Sequence, residues 1–368
     1  MTNALLLWYR ANARDLPWRH TRDPYRIWIS EIMLQQTRVA AVIGYYTRFL
    51  QAFPTVETLA KASEEELLSL WQGLGYYSRA RNLWKAAKMI QERGGFPDTY
   101  QDLLALPGIG AYTAGAIASA AFGRPTPAVD GNVLRVMSRL NDNHGDILSP
   151  AVRRGIEAQV QTLFPDADAD IRIFNQALME LGATVCVPNG PPQCERCPVA
   201  RHCLARERGT ALELPVRAPK KERRVEDRTV FVLLRGDRVA LRKRPGRGLL
   251  AGLWEFPNME GTLSETEAAE VVKTWGLSVS DWRGRLNANH IFTHIEWRMT
   301  GYLLAVTGAD NQKFQWLDAQ ELQSYAIPSA FGRFRGAAAE IMPPSAALRR
   351  ESDESGATPQ ADKTEART

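Results

Sequence analysis

The four cysteines of this 368-residue chain fall in one short segment, as Cys186, Cys194, Cys197 and Cys203, with the spacing C-x7-C-x2-C-x5-C. Thiolates this close in sequence can converge on one point and hold either a 4Fe–4S cluster or a zinc ion. Either would lock a loop that has no core of its own. Four unrelated thiols are the third reading, and disulfides are not expected in a reducing compartment. Zinc sites more often show two C-x2-C knuckles, whereas these ligands sit on one continuous loop. A 4Fe–4S cluster is therefore the expected cofactor.

The rest of the composition is that of a soluble globular chain, with 45% hydrophobic and 24% charged residues and a formal net charge of +5. That modest positive surplus suits a polyanionic partner without proving one. No stretch approaches the roughly 18 uninterrupted apolar residues of a membrane span. The apolar run at residues 5–7 is followed at once by Arg10 and Arg14, so no signal-peptide core is present. The expected compartment is the cytoplasm.

Two textures divide the sequence. Residues 1–210 read as helices: Ile27, Ile32, Leu34, Val39, Val42, Ile43, Tyr46 and Leu50 recur at helical spacing over residues 24–50. Ser63-Glu64-Glu65-Glu66 has the form of a capping box, and Ile171, Phe174, Leu178 and Leu181 make one stripe of a helix over 171–185. Residues 211–228 read as an exposed connector, dense in charge between 217 and 228. Strands are expected beyond it, at 230–234 and 239–241 around a Gly236-Asp237 turn, then at 290–296 and 299–306, with a helix near 319–325. Residues 229–345 would form a separate α+β domain, and the polar tail at 346–368 is expected to be disordered. There is no internal repeat.

Three further motifs carry chemistry. Leu106-Pro107-Gly108-Ile109-Gly110-Ala111-Tyr112-Thr113 sets two glycines in a tight turn just before a helix. Backbone N–H groups exposed there could hold a phosphate oxygen without reading sequence, although an isolated copy could also be a plain helix–helix turn. Asp130, in Val129-Asp130-Gly131-Asn132-Val133, has the form of a helix-start residue. It could equally supply the carboxylate that stabilises an oxocarbenium-like sugar when an N-glycosidic bond breaks, with Asn132 positioning it or a water. Glu31 is a lone acid in a largely apolar helix, in Ser30-Glu31-Ile32-Met33-Leu34-Gln35-Gln36-Thr37. Either it lies on the wet face, or it is a carboxylic acid of raised pKa able to protonate a leaving base.

Taken in order, these motifs resemble the helix-hairpin-helix iron–sulfur superfamily, and within it the adenine glycosylase (MutY) family, over residues 1–335. The resemblance implies a multidomain protein: an all-α helix-hairpin-helix glycosylase domain (hairpin 100–122, iron–sulfur loop 186–203) and a C-terminal α+β Nudix-like domain. It implies that Glu31 protonates adenine and helps activate water, that Asp130 stabilises the sugar cation, and that the cluster serves structure and DNA binding. The family's first cysteine gap is usually one residue shorter, so a longer loop around an intact cluster is expected. Endonuclease III-type relatives carry a nucleophilic lysine where this chain has Tyr112, and Leu134 stands where another lysine is often seen. A tyrosine cannot form the Schiff base of β-elimination, so a monofunctional glycosylase is implied.

Other roles follow from the same resemblance. Trp18 and Arg19 would line the adenine pocket, and Gln36 and Tyr76 would enter the base stack and fill the gap left by a flipped nucleotide. Without the resemblance, Tyr76 and Tyr77 could as well be core aromatics. The segment Gly248–Pro257 resembles the start of a Nudix fold, yet the following glutamates, Glu265, Glu267 and Glu270, do not make the magnesium-binding cluster of a pyrophosphatase. The family uses such an inactive domain to sense 8-oxoguanine through an F-S-H loop, and here the corresponding residues are Phe292-Thr293-His294. Threonine keeps the hydroxyl. The implied partner is double-stranded DNA with A:8-oxoguanine or A:G mispairs, met by a monomer with no membrane association in the nucleoid region of the cytoplasm. An endonuclease III-like glycosylase/lyase on another base, or a non-catalytic iron–sulfur DNA-binding protein, are the alternatives; the latter would need neither Glu31 nor Asp130.

Overall fold

A computed structural model describes residues 1–219, 222–308 and 312–342. The chain divides into two units, Met1–Lys220 and Lys221–Thr368, each with its own core. Among the described residues no helix is long and apolar enough to cross a membrane.

The first unit is helical. Two helices form its centre: Ala111–Phe122, buried almost all round, and Asp168–Thr184, whose Phe174, Leu178 and Leu181 lie in the core. Pro24–Leu34 packs on the former and Gly131–Leu140 on the latter. Close approach here depends on small residues. A Cβ on Gly115 would sit 2.0 Å from the Pro127 carbonyl oxygen, and one on Gly182 would sit 2.6 Å from Asn132 Cβ. Ser63 caps the Glu64–Leu70 helix with the reciprocal Glu66 contact its sequence predicts.

The apolar periodicity over 24–50 is not one helix but two, Pro24–Leu34 and Val39–Ala52. Gln36 interrupts the helical ladder with a left-handed backbone (φ 57°). Ile27 and Ile32 are buried on the first helix and Val42 and Tyr46 on the second, whereas Ile43, expected in the stripe, is exposed.

The second unit is a seven-stranded sheet comprising β1 (Arg224–Arg235), β2 (Arg238–Lys243), β3 (Trp254–Glu255), β4 (Asn258–Glu260), β5 (Leu277–Ile291), β6 (Ile295–Gly308) and β7 (Gln315–Leu317). The main order is β3-β2-β1-β6-β5, with β4 paired to β1 and β7 to β2; the β1–β6 pair is parallel and the rest antiparallel. Alternation along β1 builds two cores. Val230, Val232 and Leu234 face one, and Phe231 and Leu233 the other. The Gly332–Ile341 helix covers the first through Phe334 and Ala338, and Glu265–Thr274 covers the second through Ala268 and Val272.

Three sequence boundaries in this unit shift. Residues 224–228, expected in the connector, are the first part of β1, because pairing from Arg224↔Ile295 onward needs no apolar side chains. The strand expected at 290–296 is a chain reversal. β5 ends at Ile291, the Phe292 N–H donates to the Ile295 carbonyl at 2.8 Å, and β6 begins. The helix near 319–325 is a single turn, Glu321–Ser324. The tail at 346–368 lies outside the described residues.

Candidate active site

Glu31 lies near the C-terminal end of Pro24–Leu34, the helix that packs on Ala111–Phe122, and this packing brings it to Tyr112. The Tyr112 hydroxyl donates to Glu31 Oε2 at 2.7 Å, and Met179 Sδ lies 3.3 Å from the Tyr112 hydroxyl oxygen. Burial pushes the Glu31 carboxyl up to about 7; the Tyr112 hydrogen bond opposes the rise, nearby Asp130 adds to it, and Arg19 opposes it. The tyrosine is itself pushed far above its ordinary range, by burial first and then by the negative charge of Glu31. It is a neutral donor and no nucleophile.

Asp130 is the N-cap of Gly131–Leu140. Its Oδ1 accepts from the Val133 N–H at 2.8 Å, and its Oδ2 from Asn132 Nδ2 at 2.7 Å. Burial raises its pKa, while both donors favour the carboxylate. Asn132 is held in turn by Arg135, which donates to Asn132 Oδ1 at 3.0 Å and to the Cys186 carbonyl at 2.8 Å. The helix-start role read from the sequence is the one seen at Asp130. Capping fixes the carboxylate, and a fixed charge is what electrostatic stabilisation needs.

An ion-pair cluster stands behind Glu31 that the sequence reading passed over. Glu180 is fully buried and accepts from Arg14 Nε at 2.8 Å, Arg14 Nη2 at 2.8 Å and Arg19 Nη2 at 2.6 Å. Burial alone would raise this carboxyl, but the two guanidiniums override it and bring it down to about 2. Glu180 lies between Met179 and Leu181, in a helix whose other acids, Asp168 and Asp170, stand in its first turn, and its partners are what distinguish it from Glu31. One acid has two arginines and stays charged; the other has a phenol and can hold a proton. Arg19 lies close enough to Glu31 to act on its charge, while Trp18 is buried edge-on against Tyr46, with ring centroids 5.5 Å apart.

The hairpin precedes Ala111–Phe122 as expected. Gly108 has φ +78°, and a Cβ there would come within 2.7 Å of Asn82 Cβ, whereas Gly110 is the helix N-cap and faces open space. Gln36 and Tyr76, the expected wedge residues, are exposed on two separate loops, and both have left-handed backbones (φ 57° and 48°). Arg79 reaches both loops. It donates to the Ile32, Met33 and Gln35 carbonyls and to those of Leu74 and Gly75. Burial lowers its pKa to about 10.

Cys186, Cys194, Cys197 and Cys203 line one cavity together with Val136, Leu181, Val185 and Val199. Among the described residues no three His, Cys, Asp or Glu side chains stand close enough to grip a single metal ion. Arg139 Nη1 donates to Cys186 Sγ at 3.2 Å, placing positive charge where thiolates would gather. Burial raises Cys197 to about 11 and also raises Cys194 and Cys203. The donor set fits an anionic cluster of several irons.

In the second unit, Phe292 packs against His290 and Trp297, with centroids 4.6 Å and 4.9 Å away, and this leaves Thr293 and His294 exposed at the tip of the β5–β6 turn. Glu267 is spent as the capping partner of Ser264, Glu270 pairs with Lys273, and Glu265 is exposed. The buried Glu255 is neutralised by Arg242 and Arg244.

Comparison with known proteins follows this division. Residues 29–161 match the model of the HhH-GPD superfamily of base excision DNA repair proteins, and residues 229–335 match the NUDIX domain. The chain is 37% identical to the adenine DNA glycosylase of Homo sapiens over 400 residues, covering 89% of this chain and 72% of that protein. It is 30% identical to the adenine DNA glycosylase of Buchnera aphidicola subsp. Acyrthosiphon pisum over 332 residues, covering 88% and 93%. A solved thermostable thymine-DNA glycosylase superposes with a TM-score of 0.50 at 30% identity, over 56% of this chain and 95% of that one.

Proposed function

The chain belongs to the adenine DNA glycosylases of the HhH-GPD superfamily, and from that premise we propose that it hydrolyses the N-glycosidic bond of adenine mispaired with 8-oxoguanine or guanine in duplex DNA. The observation that carries the reading is the pair of unlike carboxyl environments. Glu31 is partly buried and its carboxyl is pushed up to about 7, and Asp130 is fixed by a backbone N–H and an amide. A leaving purine needs a proton, which Glu31 can give near neutral pH. The sugar develops positive charge, which Asp130 can stabilise. Glu31, then ionised, can accept a proton from the attacking water, and Tyr112 holds it in place throughout.

Tyr112 also supports a glycosylase that leaves the strand intact, since no amine stands in its place. Gly108 and Gly110 would present backbone N–H groups to a phosphate, Gln36 and Tyr76 would fill the stack, Trp18 and Arg19 would border the adenine, and the Phe292-Thr293-His294 turn would meet the opposite base. Cys186, Cys194, Cys197 and Cys203 would hold a 4Fe–4S cluster, which supplies a structural staple for a loop whose 3-10 turns bury no side chain of their own. The enzyme would act as a monomer on chromosomal DNA in the cytoplasm.

The test is single-turnover release of adenine from a duplex with one A:8-oxoguanine pair, run beside A:G and A:T duplexes. Release from the first two with no strand nick is expected. Efficient borohydride trapping on abasic DNA would overturn the monofunctional reading, and release of another base instead would overturn the substrate.

A further inference from the structure

Two exposed side chains, Gln36 and Tyr76, sit on left-handed backbone, which L-residues other than glycine avoid unless their surroundings impose it. They lie in different loops. Gln36 follows the C-terminal turn of the helix that carries Glu31, and Tyr76 immediately precedes the helix Tyr77–Arg93. One side chain reaches the backbone of both. Arg79 Nη1 donates to Ile32 O at 2.7 Å, Met33 O at 3.2 Å and Gln35 O at 2.5 Å, and its Nη2 to Leu74 O at 3.2 Å and Gly75 O at 3.3 Å. Its guanidinium also stands over the rings of Trp71 and Tyr76, 5.5 Å and 5.4 Å from their centroids.

The acceptors explain the geometry. The carbonyls that end a helix have no intrahelical donors; past left-handed Gln36 the Thr37 N–H returns to Leu34 O at 3.3 Å, and the Ile32, Met33 and Gln35 carbonyls take the Arg79 guanidinium. A planar cation with several fixed N–H directions can satisfy carbonyls from two segments at once, which a lysine ammonium cannot do in the same geometry. The Tyr76 loop is braced from its other sides as well: Trp71 Nε1 donates to Gly75 O at 3.1 Å, and the Tyr45 hydroxyl donates to Gln72 O at 2.8 Å. Thus the Gln36 loop depends on Arg79 for its register with the Tyr76 loop, and the residue just after Glu31 is held by the same group.

We propose that Arg79 is a positioning residue for nucleotide extrusion: it fastens the Gln36 and Tyr76 loops into one rigid wedge, in register with the helix that carries Glu31. It touches no substrate. The inference rests on the glycosylase reading above and on Gln36 and Tyr76 entering the duplex. Its consequence is specific. Losing Arg79 impairs taking the adenine out of the stack and leaves proton transfer from Glu31 as it was.

The experiment compares wild type, Arg79→Met and Arg79→Lys on two duplexes, one with an A:G pair and one with the adenine opposite an abasic spacer, where extrusion is easier. Arg79→Met is expected to slow single-turnover release from A:G on the order of tenfold to a hundredfold. The deficit should shrink to about threefold or less on the spacer duplex, with the alkaline limb of the pH profile unmoved. A 2-aminopurine placed beside the target should lose most of its extrusion signal. In a Gln36→Ala/Tyr76→Ala background, Arg79→Met should add little, because the loss is already made. Equal deficits on both duplexes, full additivity in that background, or no deficit at all would overturn the proposal. Should Arg79→Met fail to fold, Arg79→Lys carries the same comparison. Wild type inert on both duplexes would instead overturn the glycosylase assignment, and this inference with it.

Discussion

At the scale of single residues, the contrast between Glu31 and Glu180 shows what a sequence can and cannot say. Both are acids set among apolar neighbours, Glu31 before Ile32 and Glu180 between Met179 and Leu181, and the local sequence does not tell them apart. Their partners come from far along the chain: Tyr112 for one, Arg14 and Arg19 for the other. The family motif around Glu31 made its role legible, and nothing local did so for Glu180. The difference has a measurable sign. Glu31 donates when protonated, so the rate constant for release should be flat below pH 7 and fall about tenfold per unit above it. The Tyr112 hydrogen bond favours the ionised form, so Tyr112→Phe should move that limb to higher pH. A limb moving downward, or none, would contradict the arrangement. The folded chain retains the Glu31 proton between the ordinary value of 4.5 and about 7, where the unfolded chain has released it. Stability therefore declines as pH rises through that window, and the deficit is complete above it. Glu31→Gln removes the deficit. The variant should bind duplex, lose adenine release by a factor on the order of 10² or more, and at pH 8 unfold at higher denaturant than wild type, by roughly 1–3 kcal/mol. Urea melts at pH 5 and 8 would check this; an advantage equal at both would refute the linkage.

At the scale of elements, local signals held where a boundary has a local cause. The Ser63 cap, the Gly236-Asp237 turn and the Gly108 turn each follow from chemistry within four residues. Boundaries set by distant contacts did not show. Gln36 is no glycine, so nothing in its sequence marks a left-handed break; the guanidinium that stabilises it is Arg79. The turn at Phe292-Thr293-His294 is built of strand-forming residues, and its first ring is anchored on Trp297. The cysteine loop is the extreme case of an element without a local cause, since its two 3-10 turns, Cys194–Arg196 and Ala200–His202, bury no residue. Cys197→Ser should therefore lose bound iron and sulfide together, with the visible charge-transfer absorption of the purified protein. Hydrogen exchange should quicken across 186–203 more than across Ala111–Phe122. One zinc per chain in wild type, with no sulfide, would overturn the cluster.

At the scale of the whole molecule, the change in texture near residue 210 placed the two units, although β1 begins inside the expected connector because ladder hydrogen bonds ask nothing of side-chain polarity. Each unit closes its own cores, so each can be asked for its own contribution. All the groups proposed for bond cleavage, Glu31, Tyr112 and Asp130, lie before Lys220, as do the cysteines proposed to hold the cluster. The exposed turn proposed to meet the opposite base lies after it. In the second unit Glu267 caps a helix, Glu270 pairs with Lys273 and Glu255 is held by two arginines. Residues 1–220 expressed alone should still release adenine from an A:G duplex, because nothing in that chemistry draws on the sheet. The same fragment should lose most of the full chain's preference for A:8-oxoguanine over A:G, and in the full chain His294→Ala should reproduce part of that loss without changing the rate on A:G. Single-turnover rates on both duplexes decide the matter. A fragment that discriminates as well as the full chain would place recognition of the opposite base inside the helical unit, and would leave the β5–β6 turn with no part in it.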